Sequence, residues 1–326
     1  MKKFLMPLII GLCSCTSNIS EEQVVEEDAK KVIVSIAEMN NEFPDSRVVI
    51  DDNLKFKWTS NDVIGIFPEN KGSQVEFPIE FKEGASAEDI IFDGGGWAFK
   101  GGYSYAAYCP YHILNNKGSM IPFSYSNQCL KKNGNDFDLK GNVLLVAGST
   151  TVTNGSINFK LYNVESLIRI DLMGLPTDVT YSSLSLYAAA GNVIPLEKTY
   201  NIFSLESVKE GNTTVVSIVD DVVSKGNCLS MDLQDAVPVN GTIRTWIAFP
   251  AIGTSYGSLT AEVKDSNGKS YSGNVLVYST GDPFQFDVKR HSKYAAKVTD
   301  FKQSEASVNG SINSWVSGGD FEATAQ

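Results

Sequence analysis

Histidine and cysteine are scarce in this chain. Among 326 residues there are only two histidines, His112 and His291. The five cysteines are Cys13, Cys15, Cys109, Cys129 and Cys228. No CxxC pair occurs after the first fifteen residues, so no metal site with the usual ligand spacing is expected. The last three cysteines are widely spaced, and the sequence leaves open whether two of them form a disulfide.

Basic residues and long apolar runs are also in short supply. Lysine and arginine number 27 against 38 aspartates and glutamates, which gives a net charge of −11. An acidic surface of this kind argues against nucleic acid as a partner. No segment approaches the roughly 20 apolar residues of a membrane-spanning helix. With 42% apolar and 20% charged residues, the composition is that of a folded globular protein.

The first fifteen residues are typical of an export signal. Two lysines precede an apolar run of nine residues, Phe4–Leu12, which ends in the sequence Leu-Cys-Ser-Cys of a bacterial lipoprotein signal. We predict a signal peptide over 1–14 and acylation of Cys15, with palmitate among the chains that hold it to a membrane. A plain secretory signal with chance cysteines is the alternative. The glutamate-rich residues 15–30 are expected to form an acidic flexible tether.

From residue 31 onward, apolar and polar residues alternate. Runs with this period begin at Leu54, Val75, Ile157, Ile168, Ile243 and Leu259. The period predicts half-buried strands, with one face in the core and the other in water. The pair Asn267-Gly268 predicts a hairpin turn, and Pro78 predicts a strand at a sheet edge. No stretch sustains helical spacing for three turns, which favours an all-β fold of antiparallel sandwiches.

A Gly-Leu-Pro segment at 174–176 marks the predicted domain boundary, because it follows the strand that ends at Leu172. It divides the chain into an N-terminal β-sandwich domain, 31–174, and a C-terminal β-sandwich domain, 175–326. Both lengths suit a sandwich. The predicted fold is therefore two antiparallel β-sandwich domains in tandem.

No catalytic residue and no cofactor is predicted. Gly253–Gly257 matches the G-x-S-x-G pattern of a hydrolase nucleophile at Ser255, but the residues that follow alternate like a strand, whereas a nucleophile elbow requires a helix. We interpret this segment as a turn. An aromatic-rich segment contains Tyr105, Tyr108 and Tyr111. Core packing is the favoured interpretation of these rings, and a glycan-binding surface is the alternative.

Four segments follow the leader in a characteristic order. They are Lys57–Phe67, Tyr105–Tyr111, Ile157–Leu172 and Ile312–Gly319. The first is similar to the pattern W-x-x-x-D-x-I-G-V-F and the second to Y-x-A-Y-Y-P-Y. Together they resemble the fimbrillin family, the pilin-like lipoproteins of Gram-negative anaerobes. The resemblance covers most of the chain and implies sandwiches of the transthyretin-like, Greek-key type.

The resemblance also implies assembly by donor-strand exchange. Fimbrillins are exported as lipoproteins and cut by an Arg-specific protease, which releases the first strand and opens a groove for a strand of the next subunit. In this chain the candidate strand is Lys31–Met39, which is dense in β-branched residues. The candidate cut follows Arg47, in a loop-like run from Asn40.

The expected partners are other pilus subunits and, through the lipid, a membrane. A host or glycan receptor is a further candidate. The expected location is the outer membrane, at the cell surface or in a fimbrium, with a role in cell adhesion. A chain that keeps its first strand is instead expected to act as a pilus anchor or as a monomeric surface lipoprotein.

Overall fold

The computed structural model of the chain describes residues 28–29, 31–37, 39–41, 62–69, 74–78, 90–93, 99–112, 119–126, 128–133, 136–138, 143–251, 256–278, 280–285 and 288–303. Within these ranges the secondary structure is almost entirely β, as the sequence predicts. A single 3-10 turn, Ile202–Ser204, is the only helical element there. Among the residues so described, none lies in a helix with the length and apolarity needed to cross a bilayer.

The strands of the first half of the chain are β1 (Lys31–Ile36), β2 (Asn40–Asn41), β3 (Val63–Pro68), β4 (Val75–Pro78), β5 (Ile90–Asp93), β6 (Ser104–Cys109), β7 (Met120–Ser124), β8 (Gln128–Cys129), β9 (Lys131–Asn133), β10 (Asp136–Asp138), β11 (Leu145–Thr151) and β12 (Ser156–Asn163). Those of the second half are β13 (Ser166–Met173), β14 (Tyr181–Tyr187), β15 (Ile194–Asn201), β16 (Glu206–Glu210), β17 (Thr213–Ser217), β18 (Asp220–Gly226), β19 (Cys228–Ala236), β20 (Thr242–Phe249), β21 (Thr260–Asp265), β22 (Ser270–Val277), β23 (Ser292–Val298) and β24 (Lys302–Gln303).

Two large sheets organise these strands. The N-terminal sheet has seven strands in the order β4-β3-β6-β11-β12-β1-β5. The C-terminal sheet follows the order β20-β13-β23-β22-β21-β14-β19-β8, with β2 paired to β23 and β24 paired to β22. A smaller sheet has the order β18-β15-β7, and two strand pairs, β9-β10 and β16-β17, complete the described elements.

The C-terminal sheet folds back on itself at β22. The first part of β22 pairs with β21, through Asn274, and the rest pairs with β23, from Val275. A strand that passes from one layer to the other makes the corner of a sandwich. The two layers also meet directly, because Thr245 Oγ1 on β20 lies 3.0 Å from Met231 Sδ on β19. Apolar side chains from both layers share one core.

A second core lies on the inner face of the N-terminal sheet. It includes Val32, Val34, Ile64, Ile66, Tyr105, Ala107, Leu145, Ile157, Phe159, Leu161, Leu167 and Trp246. The last two belong to β13 and β20, so these strands of the C-terminal sheet cover the N-terminal core. Their other faces, with Ile168 and Ile170 among them, pack into the C-terminal core.

Strand β13 therefore corrects one sequence prediction. Its alternation predicts a face in water, yet seven of its eight residues are buried. Arg169 and Asp171, which stand on the expected wet face, are 1% and 2% exposed. Their burial is compensated by partners: Asp171 accepts two hydrogen bonds from Arg244, and Arg169 lies over the ring of Tyr278 at 5.2 Å.

Other local predictions are confirmed. Strands β21 and β22 form the hairpin predicted at Asn267-Gly268, and Gly268 adopts a φ of +82°. The carboxylate of Asp265 accepts hydrogen bonds from the backbone N–H groups of Asn267 and Lys269, which fixes the turn. Pro78 ends β4, an edge strand of the N-terminal sheet. The run predicted from Leu54 lies outside the described residues.

Several strand pairings cross the predicted boundary near residue 174. Strand β13 pairs with β20 and β23, β7 pairs with β15, and β8 pairs with β19. Each pairing joins a strand before residue 174 to one after it. These contacts show how the strands associate and do not test whether each half folds alone, so the two-domain division stays a prediction.

Candidate functional site

Strand β1 lies within Lys31–Met39, the segment that the sequence analysis predicts to be the removable strand. It lies between two neighbours, in parallel with β12 and antiparallel to β5. The parallel register runs from Lys31 opposite Ser156 to Ile36 opposite Leu161. In the described part of the sheet β5 pairs only with β1. Release of β1 would therefore expose the backbone groups of β12 and leave β5 without its neighbour.

Backbone hydrogen bonds extend this placement beyond both ends of β1. Ala37 donates to the carbonyl of Leu161 at 2.8 Å. On the other side, Ala29 donates to the carbonyl of Phe99 at 2.7 Å and accepts a hydrogen bond from it at 3.3 Å. The sequence assigns Ala29 to the flexible tether, but this residue is fully buried and belongs to the fold.

The side chains of β1 anchor it in the N-terminal core. Val32 and Val34 are both 0% exposed, whereas Ile33 between them is partly exposed. Full burial of a valine contributes about 1.5–3 kcal/mol, an upper estimate since unfolded chains already bury some surface. Further along, Met39 is 8% exposed and its sulfur lies 3.6 Å from Nδ2 of Asn163. The buried side chains of Val32, Val34 and Met39 thus hold β1 and the residues after it against the core.

The residues after β1 reach the C-terminal sheet. Strand β2, Asn40–Asn41, pairs in parallel with the first residues of β23, Ser292 and Lys293. The sequence reads the run from Asn40 to Arg47 as a loop, and that interpretation is wrong for its first two residues. We name residues 28–41 the N-terminal ribbon. This ribbon joins the N-terminal sheet at β1 and the C-terminal sheet at β2.

The two modification sites predicted from the sequence are not among the described residues: Cys15 precedes them, and Arg47 falls in the gap between β2 and β3. Ser255, in the segment interpreted as a turn, falls in the gap before Tyr256. The segment after Ser255 continues into strand β21, not a helix, which agrees with the interpretation of Gly253–Gly257 as a turn. A cut after Arg47 would separate both β1 and β2 from the rest of the chain.

The aromatic segment divides between the two cores. Tyr105 is 6% exposed and packs in the N-terminal core, and Tyr108 is 0% exposed and packs in the C-terminal core. The two opposite faces of β6 thus pack against different cores. Tyr111 is half-buried and only Tyr103, at 38%, is exposed. This burial agrees with core packing, and it leaves Tyr105 and Tyr108 no open ring face for a sugar.

The structure contains a largely buried polar cluster that the sequence analysis does not predict. It comprises Tyr125, Glu165, Lys198, Tyr200, Asp220 and Arg290. The hydroxyl of Tyr200 donates a hydrogen bond to Glu165 Oε1. Its oxygen lies 2.5 Å from the hydroxyl oxygen of Tyr125. Asp220 binds Lys198 at 2.5 Å and Arg290 at 3.0 Å. The members come from separate strands and loops, so sequence spacing gives no sign of them.

Burial changes the ionisation of this cluster. Removal from water raises the pKa of Glu165 to about 7, even though Lys198 and Arg290 favour its charged form. For Asp220, burial acts in the same direction, but hydrogen bonding to Lys198 and the charge of Arg290 outweigh it and lower its pKa. Burial also raises the pKa of Tyr125 well above its usual value.

Groups that could hold a metal or form a disulfide are not gathered in the described part of the chain. No three residues of the types His, Cys, Asp and Glu come together there as a metal site. Cys109, Cys129 and Cys228 are each partly exposed, and no disulfide joins them.

Comparison with known proteins gives structural similarity only. No family model matches the sequence, and no curated protein matches it. A protein from Bacteroides uniformis proposed to act in cell adhesion is 12% identical, with a TM-score of 0.46; the match covers 84% of this chain and 97% of that one. The tip fimbrial protein Mfa3 of Porphyromonas gingivalis is 11% identical, with a TM-score of 0.35, and the match covers 85% and 99%.

A fimbrial protein from Bacteroides ovatus is 14% identical, with a TM-score of 0.36; the match covers 83% of this chain and 48% of that one. The similar structures are thus cell adhesion and fimbrial proteins of Bacteroidales, the kind that the fimbrillin resemblance implies. Since each of these TM-scores is below 0.5, the similarity carries no argument about function.

Proposed function

We propose that this chain is a structural or anchoring subunit of a cell-surface pilus, exported as a lipoprotein and assembled by strand exchange. The observation that supports the proposal most is the placement of β1 between β12 and β5. A strand that enters a sheet between two others leaves, when removed, a seat with backbone donors and acceptors on both sides. A strand from a neighbouring subunit can satisfy the same groups.

The course of the chain supports proteolysis as the trigger. Arg47 lies between β2 and β3, so one cut separates the N-terminal ribbon from every later strand. After the cut, noncovalent contacts retain the ribbon, among them the β1 and β2 pairings and the buried Val32, Val34 and Met39. A neighbouring strand that makes stronger contacts can then replace it.

The leader and the family motifs support the location. Acylation of Cys15 would tether the uncut chain to the outer membrane, and cleavage after Arg47 would free the later residues from that anchor. A chain that escapes cleavage would remain attached and serve as the anchor.

The test is controlled proteolysis of the purified, unlipidated chain. Trypsin under native conditions is expected to cut after Arg47, and size-exclusion chromatography is then expected to show oligomers that grow with protein concentration. The Arg47→Ala variant is the matched control, since it removes the cut and leaves every described strand unchanged. Cut chains that stay monomeric at all concentrations would contradict the proposal.

A further inference from the structure

A cavity of about 630 Å³ lies outside the strand seat. Strands β15, β17 and β18 form its walls, and the segment that leads into β23 closes one side. In the described sheets, β18 pairs with β15 on one edge only, and β17 pairs only with β16. Two of the strands that line the cavity thus each have an edge without a strand partner in the described sheets. Its volume falls within the range of about 300–1,000 Å³ typical of small-molecule sites.

The charges that line the cavity are mostly positive. The cations are Lys198, Lys225, Lys289 and Arg290, and the only acid among the lining residues is Asp220. This excess contrasts with the net charge of −11 of the whole chain. Lys198 is 2% exposed, and both it and Arg290 bind the same carboxylate of Asp220. Glu165, whose charged form these two cations also favour, does not line the cavity. A low-dielectric wall strengthens the attraction of the cations for an anion.

The rest of the wall is apolar. Val193, Val215 and Val222 line the cavity and are 48%, 42% and 40% exposed. Because the three valines line the same cavity, they form one apolar patch, and a contiguous patch indicates a binding site where scattered single side chains do not. Ala251 and Val288 extend the apolar lining inward. The cavity thus combines apolar walls with a cationic base.

We propose that this cavity binds a small amphipathic anion, whose apolar body packs on the valines and whose carboxylate or sulfonate faces Lys225, Lys289 and Arg290. The volume of about 630 Å³ is that of a small-molecule site, which favours a small molecule over an acidic peptide strand. No residue of β1 lines this cavity, although Ser292 both lines it and pairs with Asn40 of β2.

The probe is anilinonaphthalene sulfonate, an aromatic anion whose fluorescence rises in apolar surroundings. We expect saturable binding to the purified full chain, competition by decanoate, and no competition by decanol. The double change Lys225→Gln and Lys289→Gln should weaken binding at least tenfold, and Val215→Ser several-fold. Lys209→Gln and Val237→Ser are the matched controls, because both residues are exposed and neither lines the cavity. Both controls should leave binding unchanged.

Thermal unfolding of each variant checks that it is folded, and Lys225→Gln alone, at an exposed residue, repeats the test if the double variant does not fold. Equal affinity in wild type and the lysine variants would overturn the proposal, as would the absence of saturable binding. Equal competition by decanol and decanoate would show an apolar surface without anion selectivity, and would overturn the proposal too. Competition by an acidic peptide but not by decanoate would assign the cleft to a protein partner, and would also overturn it.

Discussion

Gly65 and Tyr108 stand directly opposite each other in the antiparallel pair β3-β6, and the tyrosine ring covers the glycine. A Cβ on Gly65 would stand 2.7 Å from Cζ of Tyr108 and nearer still to Cε1. The hydroxyl of Tyr108 donates to Gln74 Oε1 at 2.6 Å, which fixes the ring. These residues come from two of the fimbrillin-like motifs, so one contact links both motifs.

Gly65→Ala should destabilise the chain by about 1–3 kcal/mol, because the ring of Tyr108 must shift within a packed core. Urea unfolding measures this loss. The double variant Gly65→Ala with Tyr108→Leu should lose less than the sum of the two single changes, since the smaller side chain makes room. Strict additivity would show that the two residues do not interact in this way.

Val34→Ala should cost about 2 kcal/mol, through two lost methyl groups and the space they leave in the N-terminal core. Ile33→Ala is the matched control on the same strand, where the side chain is partly exposed and the loss should be smaller. Chemical denaturation compares the two variants. An equal loss at both positions would mean that β1 is not seated by its alternate residues.

Asp171→Ala should destabilise the fold by about 3 kcal/mol or more, because it removes the carboxylate 3.6 Å from the buried guanidinium of Arg169. Arg244→Ala is expected to cost less, since Arg244 is 39% exposed. The order of the two unfolding midpoints is the measurement. A larger loss from Arg244→Ala would contradict the placement of this charge pair.

Stability should fall as the pH rises through 7. The folded-state pKa of Glu165, about 7, lies above its usual value of 4.5, so the folded chain binds this proton more tightly. The stabilisation is complete below pH 4.5 and is lost towards pH 8, by roughly 2 kcal/mol between pH 5 and pH 8. Asp220, whose pKa is lowered, acts in the opposite direction and only at more acidic pH.

Glu165→Gln isolates this effect, because the amide mimics the protonated acid. Its oxygen can accept from Ala251, and its NH₂ can donate to the Tyr200 hydroxyl, which then donates to Tyr125. Urea unfolding of both proteins from pH 5 to pH 8 should give a stability difference that shifts in favour of the variant as the pH rises. A difference independent of pH would contradict the raised pKa.

Local signals predict much of this fold. The alternation in β12 and the Asn-Gly turn between β21 and β22 act over a few residues, so the sequence contains them directly. The burial of Arg169 and Asp171 is different, because it depends on Arg244 and Tyr278, which are distant in sequence. From the sequence alone, the charges of Arg169 and Asp171 predict that they face water, because no local pattern identifies these distant partners.

The candidate site is likewise predicted only in part by the sequence. The β-branched residues of Lys31–Met39 predict a strand, but the parallel pairing of Asn40 with Ser292 joins residues far apart in the chain and leaves no local pattern. Likewise, the cluster around Glu165 assembles side chains from β15, β18 and the residues before β23. Such contacts follow from topology, which periodicity does not specify.

The central claim is that a strand from another chain can replace the N-terminal ribbon in its sheet positions. Binding of a labelled ribbon peptide tests this claim most directly. A fluorescent peptide of residues 28–41 is added to the intact chain and to the chain cut after Arg47, and fluorescence anisotropy reports binding. We expect saturable binding to the cut chain only, and none by a peptide that carries Val32→Asp and Val34→Asp. Equal binding of both peptides, or no binding to the cut chain, would contradict the claim.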